Sequence, residues 1–245
     1  MAGFFNTVIF VPLLNALVEI YNTIAFQDLG IAIIFLTILV RIILFPLAHK
    51  STKHQTIMQR LQPRIKEIQE KHKDDKEKQT QAMLELFKEH KVNPFSGFFI
   101  LFLQLPVLWA LYKLFMSGLD GGVLENLYSF VAKPEVINHM FLGLLNLSET
   151  SMVVVGLAAA AQYLQGQIAL PKIEKGKILN TAEKTARRMV LIGPVATIAI
   201  FLILKLPAAV GLYWITQTAF QIFQQVYINK SLKNGERHNN NQTTA

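Results

Sequence analysis

A single arginine, Arg41, lies within an otherwise uncharged stretch that is long enough to cross a membrane as a helix. This stretch covers residues 29–47, and Thr37 is the only other side chain in it that can form hydrogen bonds. An arginine at such depth costs about 2.5–3.5 kcal/mol on insertion scales, so it usually faces protein or water and serves a function. Snorkelling is the alternative, because Leu47 lies about 9 Å farther along a helix and the long side chain can reach that interface.

Four further apolar segments are near the ~20 residues that one helical crossing needs. Charged residues make up 16% of the 245-residue chain, against about 25% in soluble domains. The sequence therefore predicts an all-α polytopic membrane protein with five transmembrane helices. The predicted spans are about residues 29–47, 96–116, 150–170, 189–206 and 208–228.

Lysine and arginine are distributed unequally between the segments that connect these spans. Segment 48–95 carries eleven of them, 171–188 carries six, and the tail after residue 228 carries three. By contrast, residues 1–28 carry none and segment 117–149 carries one. The positive-inside rule then predicts an N-terminus outside and a C-terminus in the cytoplasm. Because the net charge of +8 is concentrated on one membrane face, it indicates anionic lipid as a partner rather than DNA.

Residues 1–28 are predicted to form an amphipathic helix lying on the outer membrane surface. Phe5, Ile9 and Leu13 recur at helical spacing, whereas Asn15 lies off this stripe. The positive segment typical of a cleaved signal peptide is not found. A sixth span is the alternative, and it would need a very short turn before the next span.

Residues 49–95 are predicted to fold as a cytoplasmic helical hairpin. Apolar residues recur every three or four positions on both sides of a break at Asp74 and Asp75, which is typical of two amphipathic arms. Pro63 is expected to kink or locally end the first arm. Because a plain connection needs only a few residues, a hairpin of this length favours a docking or gating element. Residues 233–245 are predicted to be a polar tail.

Uncharged hydrogen-bonding residues occur inside most of the other spans, and on the last span Gln217, Gln221 and Gln224 form one polar stripe. A lone glutamine is explained by a contact between helices, worth about 0.6–2 kcal/mol. Several of them with one arginine instead predict a wet, positively charged groove that opens towards the cytoplasm. The candidate groove residues are Arg41, Thr37, Gln104, Gln162, Gln165 and Gln217, with Gln167 as an alternative on the third span.

Such a groove would shorten the apolar barrier that a hydrophilic segment meets in a bilayer. Its fixed cation would attract acidic residues, and this attraction is stronger where the dielectric constant is low. The sequence has no P-loop and no dinucleotide-binding glycine motif, so movement without nucleotide hydrolysis is predicted.

Several motifs in matching order resemble the YidC/Oxa/Alb membrane protein insertases. They are RIILFPL from Arg41, LQPRIKEIQEKHKDD from Leu61, KVNPF from Lys91, LQLPVLWALY from Leu103, and GLYWITQ from Gly211 with the later FQQ. The resemblance covers about residues 4–232. It implies an insertase in which Arg41 receives the short acidic tails of nascent membrane proteins and in which Tyr213 and Trp214 line the groove. It also implies contacts with the ribosome and with the SecYEG translocon.

The chain departs from some members of that family. A large extracytoplasmic domain before residue 29 and a lipoprotein cysteine are both expected to be absent, and the role of segment 117–149 stays open. Because no transit peptide is found, a bacterial plasma (inner) membrane location is expected.

Other function classes find less support in the sequence. Neither an enzyme nor a cofactor is predicted, because the chain has no intramembrane nucleophile motif, carboxylate pair or metal-binding motif. A small polytopic transporter or channel is the alternative function. It would be expected to carry paired intramembrane charges or an inverted repeat, and neither is visible.

Overall fold

The structure is a computed structural model that describes residues 2–93, 95–96, 107–110, 112–113, 115, 122–170 and 181–243. Its helices are α1 (Ala2–Phe5), α2 (Val11–Thr23), α3 (Leu29–Ile43), α4 (Phe45–Lys71), α5 (Lys76–Glu89), α6 (Met152–Ala169), α7 (Thr181–Met189), α8 (Ile192–Ile203) and α9 (Ala208–Thr243). The prediction of a mostly helical chain is confirmed. Most of the predicted span 96–116 lies outside the described residues.

Four short elements complete the described fold. A π-helical turn, Asn6–Phe10, joins α1 to α2, and a 3-10 turn covers Leu124–Asn126. Strands β1 (Met140–Phe141) and β2 (Leu145–Asn146) pair antiparallel. Their tight turn places Leu142 and Gly143 in the left-handed region, with φ of 52° and 69°.

Two helical stretches in the described part of the chain are long and apolar enough to cross a membrane, judged by length and composition. They are Gly3–Thr23 and Met152–Ala169, and a third is counted if α3 and α4 together form one bent span. The second stretch lies within the predicted span 150–170. The first lies within residues 1–28, so it meets the length and composition that the alternative of a sixth span requires.

The predicted span 29–47 is not one straight helix. Helix α3 ends at Ile43, α4 begins at Phe45, and the two axes meet at 73°. Pro46 lies in the first turn of α4, where a helix has no intrahelical partner for the missing N–H. Helix α4 then continues to Lys71 through Pro63, where the sequence predicted a kink or a local end. One helix therefore reaches from the end of α3 to the tip of the hairpin.

Helices α4 and α5 form the two arms of that hairpin. The small apolar core between them consists of Leu61, Ile65, Leu86, Phe87 and Val92. Asp75 caps α5, because its carboxylate accepts a hydrogen bond from the Lys78 N–H at 3.0 Å and pairs with the Lys78 ammonium at 3.0 Å. The backbone hydrogen bond lowers the pKa of Asp75. The cap is therefore charged at neutral pH and is lost as the pH falls through that lowered pKa.

Helix α9 is the centre of the bundle, where it packs on α6 and on α3, while α8 packs on α6 and α2 packs on α3. Several glycines permit close approach of neighbouring elements. A Cβ atom on Gly211 would overlap Val154, and a Cβ atom on Gly30 would overlap the ring and Cβ of Phe141. Phe201 closes the α6–α8–α9 contact and is 1% exposed.

The buried face of α2 differs from the predicted stripe. Leu14, Leu17 and Tyr21 are buried, whereas Leu13 is half-buried. Asn15, which the sequence placed off the stripe, is only 3% exposed. The buried face is set by tertiary contacts, because α2 packs against segment 122–149 as well as against α3.

Asn15 is buried because its amide satisfies the backbone of that segment. Its Nδ2 donates to the Asn126 carbonyl at 3.1 Å and to the Val11 carbonyl at 2.8 Å, and its Oδ1 accepts from the Tyr128 N–H at 2.6 Å. Asp28, at the turn between α2 and α3, also joins distant parts of the backbone. One of its carboxylate oxygens caps α3 by accepting a hydrogen bond from the Ile31 N–H at 2.9 Å, and the other accepts a hydrogen bond from the Leu142 N–H at 2.6 Å.

We expect Asn15→Leu to lower the free energy of unfolding by about 1–3 kcal/mol, because the Asn126 carbonyl and the Tyr128 N–H would lose the partner of a part-buried hydrogen bond. Thermal unfolding in detergent, followed by circular dichroism, measures this loss. Asn22→Ala is the control, since Asn22 makes a comparable bond to the Ala132 carbonyl, 2.7 Å long, in an exposed position. Its loss should be about 1 kcal/mol or less, and equal losses for the two variants would contradict the role of Asn15.

Candidate functional site

Arg41 lies in the last turn of α3 and is only 7% exposed. It borders a cavity of about 480 Å³ between α3, α4, α6, α9 and the connection from α7 to α8. The described lining residues are Arg41, Ala48, Thr52, Gln55, Gln59, Gln162, Gln165, Gly166, Ala169, Met189, Val190, Gly193, Trp214, Gln217, Thr218, Gln221, Gln224 and Gln225. Arg41 is the one charged residue in this described lining, and eight of the others are glutamines.

Two glutamines of α6 hold the cavity wall together. The Gln162 carbonyl oxygen accepts from Trp214 Nε1 at 2.9 Å and from the Thr197 hydroxyl at 3.2 Å, so it joins α6 to α9 and α8. Gln165 Nε2 donates to Gln221 Oε1 at 2.7 Å. These bonds place hydrogen-bonding groups along the junction of α6 and α9.

The wall formed by α4 was not predicted. Ala48, Thr52, Gln55 and Gln59 line the cavity at spacings of four, three and four residues, which is one face of a helix. On the same stretch of α4, Thr56 accepts a hydrogen bond from Gln225 Nε2 of α9 at 2.8 Å. The sequence signal that could have predicted this wall is the stripe of small and polar residues on α4. We assigned residues 49–95 entirely to the hairpin because lysines lie among the residues of this stripe.

The structure brings five of the predicted groove residues to the cavity: Arg41, Gln162, Gln165, Trp214 and Gln217. The described lining does not include Thr37, whose hydroxyl donates to the Ile33 carbonyl of its own helix at 2.6 Å. Tyr213 is 2% exposed and is not among the described lining residues. Gln104 lies outside the described residues. Of the two glutamines in the third span that compete with Gln162, Gln165 lines the cavity, whereas the described lining does not include Gln167.

A metal site is not seen in the described residues, where no three His, Asp or Glu side chains come together. The described polar side-chain groups that line the cavity are amides, hydroxyls, an indole and one guanidinium. Such groups can bind hydrogen-bonding and anionic ligands, but they do not supply a nucleophile paired with a base.

The family model described as 60Kd inner membrane protein matches residues 20–236, which is most of the chain. The chain belongs to this 60Kd inner membrane protein family. Three bacterial relatives of the family carry the name membrane protein insertase YidC. Identity is 33% with the relative from Pelobacter propionicus, over 91% of this chain, and 30% with that from Geobacter sulfurreducens, over 92%. It is 34% with the relative from Clostridium tetani, over 82% of this chain.

The relatives differ in length. The chain spans 39% and 38% of the first two relatives, but the match covers 81% of the one from Clostridium tetani. The resemblance to the YidC/Oxa/Alb insertases that the motifs indicated is thereby confirmed. The cavity around Arg41 lies within the part of the chain that the 60Kd inner membrane protein family shares.

In this member of the 60Kd inner membrane protein family, Trp214 can report on the cavity wall. With Trp109→Phe, Trp214 becomes the sole tryptophan of the chain. We expect Gln162→Leu to shift its fluorescence emission to shorter wavelength, because the indole N–H loses its acceptor at 2.9 Å and the site becomes less polar. Gln167→Leu on the same helix should leave the emission unchanged. An unshifted spectrum for Gln162→Leu would contradict the hydrogen bond.

Proposed function

We propose that this chain is a membrane protein insertase that passes hydrophilic tails of nascent membrane proteins through the Arg41 cavity and releases their hydrophobic helices into the bilayer. The observation that supports this most directly is that the described cavity lining contains one cation, the buried Arg41, among hydrogen-bonding groups that are otherwise uncharged. Membership of a family whose members include proteins named insertase supports it independently.

The proposed architecture is that of the sequence prediction, with spans at about 29–47, 96–116, 150–170, 189–206 and 208–228. The N-terminus lies outside and the C-terminus inside. In this arrangement residues 1–28 form an interfacial helix, the insertase core extends from 29 to 232, and the polar tail covers 233–245. The cytoplasmic hairpin, 49–95, belongs to the core. The lysines and arginines of segments 48–95 and 171–188 support the orientation.

The mechanism follows from electrostatics and solvation. An acidic tail that leaves the cytoplasm loses hydration, and Arg41 offsets part of that cost because charges attract more strongly where water is scarce. The glutamines and threonines of the cavity replace hydrogen bonds to water without adding charge. The hydrophobic helix that follows the tail gains free energy by entering lipid, so the reaction needs no nucleotide hydrolysis.

The proposed partners are nascent membrane proteins with short acidic translocated tails and the lipid bilayer, together with the ribosome and the SecYEG translocon. The proposed location is the bacterial inner membrane, which the chain crosses several times. Neither a cofactor nor an enzymatic step is part of this proposal.

Reconstitution tests the proposal. Liposomes that contain this protein alone are mixed, without nucleotide, with a single-span protein that carries a short acidic N-terminal tail, and translocated tail is measured by protease protection. We expect insertion above that in empty liposomes and no flux of small solutes through the same vesicles. Solute flux without insertion would favour the transporter or channel, and insertion equal to that in empty liposomes would contradict an insertase that acts alone.

A further inference from the structure

The cavity has more hydrogen-bonding capacity than its own contacts use. Eight glutamines line it, and each carries one amide group that can both donate and accept. Three of them already form hydrogen bonds to neighbouring helices: Gln162, Gln165 and Gln225. In two others one amide atom lacks a partner: among the described residues, Gln59 Oε1 and Gln224 Nε2 have no hydrogen-bond partner.

Both atoms are also withdrawn from solvent, and the Gln224 side chain as a whole is only 2% exposed. A buried polar atom without a partner carries an uncompensated desolvation cost, which a ligand that supplies the missing bond can remove. Gln59 comes from α4 and Gln224 from α9, so such a ligand would lie between these helices.

The two atoms differ in kind, since one is an acceptor and the other is a donor. A phosphate or a carboxylate requires donors, and a cation requires oxygen atoms, so neither ion matches both glutamines. A peptide unit offers one N–H and one C=O, which matches the pair.

We infer that the glutamines of this cavity bind the main chain of the translocated tail, so that recognition uses its peptide groups as well as its acidic side chains. This inference rests on the proposed insertase function and adds the ligand chemistry of the site. Arg41 then selects charge, whereas Gln59 and Gln224 bind any extended segment whatever its sequence. A cavity of this kind suits a protein that must accept many different tails.

N-methylation of the tail tests the inference, because it removes main-chain donors without changing charge. Two synthetic single-span substrates are compared in proteoliposomes, one with an alanine-rich acidic tail and one in which the same alanines are N-methylated. We expect the methylated tail to insert about tenfold more slowly. If the cavity supplies only water and charge, the methylated tail has fewer donors to dehydrate and should insert equally fast or faster, and that result would overturn the inference.

Variants test whether Gln59 and Gln224 cause the difference in insertion rate between the two substrates. Gln59→Met with Gln224→Met removes both amides and keeps similar volume, so the two substrates should then insert at more nearly equal rates. Gln81→Met, on the exposed face of α5, should keep the wild-type difference. A difference that persists undiminished in the double variant overturns the assignment to these residues. If the unmethylated tail inserts no better than in empty liposomes, the proposed function itself fails, whereas equal rates above that background overturn the main-chain inference alone.

Discussion

Arg41→Ala is expected to slow the insertion of a substrate with an acidic tail by about tenfold, which corresponds to ~1.4 kcal/mol of lost stabilisation. The physical reason is that the described cavity lining then contains no charge to offset the dehydration of the tail carboxylates. The rate of protease-protected tail formation in proteoliposomes measures this effect. A tail in which the acidic residues are replaced by their amides should be slowed much less.

Arg41→Lys is the matched control, because it keeps the charge and removes the planar guanidinium. We expect it to retain most of the insertion of acidic tails. If Arg41→Ala slows acidic and neutral tails equally, charge attraction is not the role of this residue. The yield of folded protein after detergent extraction, measured for all three proteins, separates a loss of function from a loss of fold.

Gly30→Ala is expected to lower the stability of the protein by about 1–3 kcal/mol, the range typical of overpacking. Its new methyl group would overlap Phe141, and the overlap reaches the Cβ atom of Phe141 as well as the ring. A rotation of the ring therefore does not relieve it, and the β1–β2 hairpin has to shift. The apparent melting temperature in detergent measures the loss.

Gly156→Ala, on α6, is the control for Gly30→Ala and is not expected to lower the stability of the protein. The space around Gly156 is open, with nothing within 4 Å of an added Cβ atom. This change should be neutral or stabilising by up to about 1 kcal/mol, because alanine favours the helix. Combining Gly30→Ala with Phe141→Ala should cost less than the sum of the two changes. Equal effects of Gly30→Ala and Gly156→Ala would contradict the close approach.

The helical character and five of the residues that line the cavity could be predicted from the sequence because they depend on local patterns. A charge inside an apolar stretch and glutamines at helical spacing are both visible without a structure, and Arg41, Gln162 and Gln217 do meet at one cavity. The end of α3 at Ile43 was missed although Pro46 marks a helix start. The apolar residues simply continue across the bend, so hydropathy does not show it.

Two other features depend on contacts that no local pattern contains. Asn15 was placed off the apolar stripe of the N-terminal helix, yet backbone groups more than a hundred residues away make its burial favourable. The polar stripe of α4 belongs to the cavity only because the 73° bend turns its first half towards α6 and α9. Periodicity identifies the faces of a helix, but it does not identify what each face meets.

Because α4 is one continuous helix, a rigid-body rotation with Leu44 as the pivot would displace its residues in proportion to their distance from Leu44. The helix has 27 residues, so it is about 40 Å long, and Gln59 lies about 22 Å from the pivot. A rotation that moves the Lys71 end by about 5 Å therefore moves Gln59 by about 3 Å, and Ala48 hardly at all. Of the α4 residues that line the cavity, such a rotation would therefore displace Gln59 most, well away from the fixed charge of Arg41.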